Sequence, residues 1–129
     1  MYWENKFKEL NEKYWEGSLA QIKIIVRGLV AEGSEGLYHY PIYGEDSTGD
    51  LYITTAAYIE IDKNLSHNQK INILLHEMCH HAVEEFYEYW PYHNHGKEWK
   101  REMIRCGFKG KIHSKRGLYK TKCLYMEET

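Results

Sequence analysis

Apolar residues recur at helical spacing at the start of the chain: Trp3, Phe7, Leu10 and Tyr14 lie on one face of a helix spanning residues 2 to 16, and Gly17 is its natural stop. The pattern then changes period. Residues 21 to 27 (QIKIIVR) are β-branched and bounded by Gly17-Ser18 and Gly28, which predicts a strand. Leu37 to Tyr43 and Leu51 to Thr55 read as further strands, separated by the turn-rich stretch Gly44 to Asp50. Tyr58 to Asp62 alternates enough to predict a strand with one wet face.

Helical spacing returns at Ile71, Leu74, Leu75, Met78 and Ala82, and Ser66 with Gln69 makes an S-x-x-Q capping box just ahead of it. A helix is therefore expected from about residue 67 to about Glu88. Pro91, Asn94 and Gly96 punctuate a turn, and residues 98 to 105 resume helical character up to Gly107. Residues 108 to 129 are weakly patterned, with a candidate strand over Leu118 to Met126. Helix, several strands, helix, helix is an α+β order.

Composition narrows this picture. The chain has 129 residues, 43% of them apolar, with 12 Tyr and 4 Trp, enough for one folded domain without staples. No apolar run approaches the roughly 18 to 20 residues that span a bilayer, and the opening MYWENK lacks the layout of a secretory signal. Cys79, Cys106 and Cys123 form no C-x-x-C pair, which speaks against a disulfide framework or a zinc ribbon. A cytoplasmic protein with reduced thiols and no membrane contact is the expectation.

Net charge is -2, but unevenly placed. Residues 1 to 96 hold 7 Lys and Arg against 15 Asp and Glu, whereas residues 97 to 122 hold 10 Lys and Arg against Glu98 and Glu102. That stretch can be a solvated face balancing the acidic remainder, or it can attract nucleic acid or an acidic protein.

The chemistry lies in His76-Glu77-Met78-Cys79-His80. Residues four apart share a helix face, so His76 and His80 can aim imidazoles at one zinc ion, while Glu77, rotated by about 100°, can reach a water beside the metal as general base. In this composition H-E-x-x-H arises by chance in roughly 6% of shuffled sequences, so context must decide. Apolar Ile71, Ile73, Leu74, Leu75, Ala82 and Val83 around the motif disfavour the bland alternative of an exposed helix carrying two solvated histidines.

A catalytic zinc needs a third protein ligand. Glu84, Glu85 and Glu88 lie farther along the same helix, a poor geometry for closing a tetrahedron, and Glu98 lies beyond the turn. A return segment from Tyr89 to His95 reaches roughly 23 Å when extended, against the ~12 Å climbed since His80. His95 is the first candidate because Gly96 permits close approach; His93 is its rival. His81 points about 100° away from His80 and suits packing or an outer hydrogen bond, and His39, His67 and His113 are taken as structural or solvent-facing. The metzincin pattern is excluded, since it needs glycine and histidine where Val83 and Phe86 stand.

Three segments together resemble the SprT-like family of zinc metallopeptidases, which includes proteases that cut proteins crosslinked to DNA: LLHEMCHHAV at 74 to 83, HGKEW at 95 to 99, and FKELNEKYWEGSL at 7 to 19. The likeness covers about residues 5 to 106, leaving 107 to 129 as a basic extension of a single domain. It implies a zincin-like fold in which a small mixed sheet of three to four strands lies beside the metal helix, and a following helix carries the third ligand. It also implies zinc held by His76, His80 and His95, Glu77 as catalytic acid/base, and a protein or peptide substrate. Many members continue into a zinc ribbon with paired C-x-x-C motifs, absent here, as are the separate DNA- and ubiquitin-binding segments of the eukaryotic proteases. The competing expectation is a non-catalytic zinc module that docks nucleic acid or an acidic protein through Lys and Arg of 97 to 122.

Overall fold

The computed structural model describes residues 1–86 and 97–107. Helix α1 (Tyr2–Trp15) forms where the first apolar stripe places it, burying Phe7 and Trp15. Asn11 is buried between them and braces the next segment, donating to the Leu19 carbonyl at 3.0 Å and accepting from the Leu19 amide at 3.1 Å. The helix ends in two left-handed residues, Glu16 (φ 54°) and Gly17 (φ 78°), and the Gly17 N–H reaches back to the Asn11 carbonyl at 3.0 Å. Glycine suits that closing position because a Cβ would be strained there.

Five strands follow among the described residues: β1 (Lys23–Arg27), β2 (Gly36–His39), β3 (Ile42–Glu45), β4 (Leu51–Thr55) and β5 (Tyr58–Asp62). They make a three-stranded mixed sheet in the order β1-β5-β2, with β5 parallel to β1 and antiparallel to β2, and a separate antiparallel hairpin of β3 and β4. The expected single strand over Leu37 to Tyr43 is thus two strands in two sheets. The break falls at Tyr40-Pro41, where proline offers no N–H to a ladder.

The expected wet face of β5 is also corrected. All of Ile59 to Asp62 is buried, because β5 is the central strand. Ile59 and Ile61 join Ile24 in the core, while Glu60 on the other face accepts from Arg27 Nη2 at 3.1 Å and His39 Nε2 at 2.8 Å. The Arg27 guanidinium holds the Glu60 carboxyl below its usual range. A central strand has both edges occupied, so β5 offers no free edge to a further strand.

Helix α2 (His67–Phe86) starts on the predicted capping box, with the Ser66 amide donating to Gln69 Oε1 at 2.9 Å and the Gln69 amide to Ser66 Oγ at 3.2 Å. From Ile73 to Ala82 every residue is buried, so this helix is enclosed all round. Helix α3 (Lys97–Arg105) closes one side with Trp99 and Met103, and Cys106 just beyond it joins the same core. It is tied to α1 by Trp15 Nε1 donating to Glu102 at 2.9 Å and by Arg105 donating to the Tyr14 carbonyl at 2.6 Å. Cys79 and Cys106 are free thiols that meet in the core, where burial pushes the Cys79 thiol well up. No helix among the described residues is long and apolar enough to cross a membrane.

Candidate metal centre

His76, Glu77 and His80 sit on the enclosed turn of α2, each buried. One potential ligand atom from each lies within 4.8 Å of the other two, the spacing of groups that can share one metal ion. The two imidazoles are 5.1 Å apart between centroids and inclined at 63°. Glu77 Oε2 is 3.7 Å from His76 Nε2. His76 and His80 offer two imidazole nitrogens on one helix face with the Glu77 carboxylate beside them, an arrangement that fits a metal ion such as zinc. Burial pushes the Glu77 carboxyl up to about 8.

Neighbouring elements hold this turn in place. Strand β2 passes so close at Gly36 that a Cβ there would lie 2.4 Å from Ile73 Cγ2 and 2.9 Å from Glu77 Oε2. Two residues on, on the same face of β2, Tyr38 hydrogen-bonds His81 Nδ1 at 2.9 Å. The other ring nitrogen of His81 lies 2.9 Å from the Ala20 carbonyl. A carbonyl only accepts, so Nε2 donates to Ala20 while Nδ1 pairs with the Tyr38 hydroxyl, and His81 is a strut between β2 and the segment that follows α1. That matches its expected outer role. His39, bonded to Glu60 and stacked on Tyr58 at 4.1 Å, and His67, 3.1 Å from the Tyr2 hydroxyl, are also structural.

Two of the alternative carboxylate ligands are engaged elsewhere. Glu84 accepts from the Tyr43 hydroxyl at 2.7 Å, which pushes that phenol up to about 12, and Glu85 accepts from the Ala20 amide at 2.9 Å. His93, His95 and Glu88 lie outside the described residues, as do His113 and Cys123. Sequence reasoning missed Trp99 and Tyr38, whose rings border the histidines. For Tyr38 the signal was there: Gly36 and Tyr38, two apart in a strand, place a small and then a large residue against the same helix.

The sequence profile of the SprT-like family matches residues 3–119. The chain belongs to the SprT-like family. As a SprT-like protein it is a metallopeptidase-like domain, and its buried His76, Glu77 and His80 are a group able to hold a metal ion. Among curated proteins and among solved structures nothing matches this SprT-like chain.

Proposed function

We propose that this chain is a zinc-dependent peptidase of zincin-like architecture in which His76, His80 and His95 hold the metal and Glu77 is the general base. The observation carrying this reading is the convergence of His76, Glu77 and His80 within 4.8 Å on a buried helical turn. Bound there, zinc supplies Lewis-acid polarisation of a carbonyl oxygen and acidifies water toward about 7. Glu77 accepts the proton of the attacking water at a carboxylate oxygen and then delivers it to the leaving nitrogen as the peptide C–N bond breaks. To accept it, Glu77 must be ionised, and beside a held cation its pKa falls from the metal-free value. The carboxyl stays in place because α2 is enclosed and β2 presses on it at Gly36.

Two buried free thiols suit a reducing, cytoplasmic setting. DNA-associated proteins are the substrate class suggested by the family and by the basic residues of 97 to 122. Of these, Lys97 and Arg101 are exposed on α3 and open to a phosphate, whereas Arg105 is committed to Glu102 and the Tyr14 carbonyl.

The test is metal analysis combined with cleavage of an unfolded protein, with and without single- and double-stranded DNA. Glu77→Gln should keep zinc and lose about a thousandfold or more in kcat/KM; undiminished cleavage would remove Glu77 from the mechanism. His95→Ala should lower zinc stoichiometry. Zinc lost in His93→Ala but kept in His95→Ala would transfer the third position to His93. DNA binding that strengthens as salt falls, with no cleavage by the zinc-loaded chain, would favour the non-catalytic module.

A further inference from the structure

Both candidate ligand rings touch one indole. Trp99, only 1% exposed, lies 5.2 Å from His80 with the planes 16° apart, and 5.0 Å from His76 with the planes 62° apart. One imidazole is therefore stacked on the indole while the other meets it edge to face, and the 63° between the two imidazoles follows from that pair of contacts. A third ring, Tyr38, lies nearly parallel to His80 at 6.5 Å and 15°. Neither aromatic is loosely held. Trp99 rides on α3, which Glu102 and Arg105 fasten to α1, and Tyr38 is bonded to His81.

We infer that Trp99 is a positioning residue for the metal centre, an aromatic clamp that sets the two imidazole planes before the ion arrives. An imidazole on a bare helix can turn about two side-chain bonds, and binding must stop that motion. One already held by a packed ring arrives with its nitrogen aimed, and affinity rises because less freedom is lost. Trp99 touches the ligands and not the substrate, so its effect is on metal affinity and on the symmetry of the site. The inference rests on the reading of His76 and His80 as ligands.

The experiment uses the full chain, stripped with a chelator and titrated with Zn2+ against a chromophoric competitor, and separately with Co2+ to record its absorption spectrum. Trp99→Leu keeps apolar bulk but removes the ring; Trp99→Phe keeps a ring. The expected result is a zinc Kd about 10- to 100-fold weaker for the leucine variant, with an altered Co2+ spectrum, and a phenylalanine variant within about threefold of wild type. A residue that only fills space would lower the melting temperature of Trp99→Leu and leave the zinc Kd of the folded protein unchanged, and that outcome overturns the inference. A second measurement needs no variant. In metal-free wild type, the His80 ring protons should be shifted upfield by the stacked indole, and ordinary positions for them would also overturn it. Wild type that takes up no zinc would sink the metal reading itself, and the clamp with it. Wild type that binds zinc as tightly as the folded leucine variant would sink the clamp alone.

Discussion

Gly36→Ala tests the closeness of strand and metal helix. Gly36 has an ordinary φ, so the substitution carries no backbone strain. In open space it would stabilise by about 0.4 to 1 kcal/mol by restricting the unfolded chain. The new methyl, however, would stand 2.4 Å from Ile73 Cγ2 and 2.9 Å from Glu77 Oε2. Ile73 is β-branched, 3% exposed and part of the core, so it has little room to give. Overpacking of this kind costs about 1 to 3 kcal/mol. The clash should win, leaving a net loss of about 1 to 2 kcal/mol and a melting temperature lower by about 3 to 10 °C for a domain of this size. Urea denaturation should show a lower midpoint at an unchanged slope. A double-mutant cycle with Ile73→Ala should give a favourable coupling of about 1 kcal/mol or more, because the added methyl occupies the space vacated. An unchanged or raised melting temperature, or strict additivity in the cycle, would show that β2 does not press on α2 at this turn. Under the proposed peptidase function the metal centre carries a second readout, since β2 pushed outward also releases the Glu77 carboxylate, and cleavage should fall further than the small loss of folded protein explains.

Removing Arg27 as Arg27→Met takes the guanidinium away from the buried Glu60 carboxylate, leaves His39 as its remaining side-chain partner among the described residues, and should destabilise the fold at pH 7. Glu60 has a lowered folded pKa, so its contribution is present above the unfolded value near 4.3 and fades as pH falls through the lower folded one; the gap between wild type and variant in urea titrations should shrink below about pH 4. Tyr38→Phe leaves His81 Nδ1 without its Tyr38 partner inside the fold and should cost about 1 to 3 kcal/mol by thermal denaturation; a loss under about 0.3 kcal/mol would contradict that hydrogen bond. Glu77→Gln should stabilise the metal-free protein at neutral pH. A carboxyl raised to about 8 contributes fully below its unfolded pKa and loses stability as pH rises toward 8, about 3 kcal/mol by pH 7 relative to pH 4. A wild-type minus variant difference that stays flat from pH 4 to 8 in the presence of chelator would refute the burial of that charge.

The parts of this fold that follow a local rule were readable from the residues alone. The α1 stripe, the Ser66-Gln69 capping box and the end of β4 at Thr55 are each written within a few neighbouring positions, and the structure agrees with them. What was misread depends on partners far away in the chain. Tyr58 to Asp62 alternates like a half-wet strand, yet Glu60 is buried because Arg27 and His39, 33 and 21 residues earlier, bring their donors to it. Alternation reports which faces differ, but not whether an ion pair lets a charged face go inside. The strand expected over Leu37 to Tyr43 failed for the opposite reason, a local signal outvoted: Pro41 interrupts an apolar run whose β propensity argued for continuity. At the metal centre the same division holds. Helical spacing alone brings His76, Glu77 and His80 to one turn, so the motif was legible. The surroundings that give it chemistry were not, because Gly36, Tyr38 and Trp99 reach it from β2 and α3, and only packing brings those elements together. A motif of five residues therefore names the donors, while the burial that raises Glu77 and the rings that set the imidazoles belong to the whole domain. Substitutions at Gly36 or Trp99, neither within the motif, should accordingly alter the centre as surely as substitutions inside it.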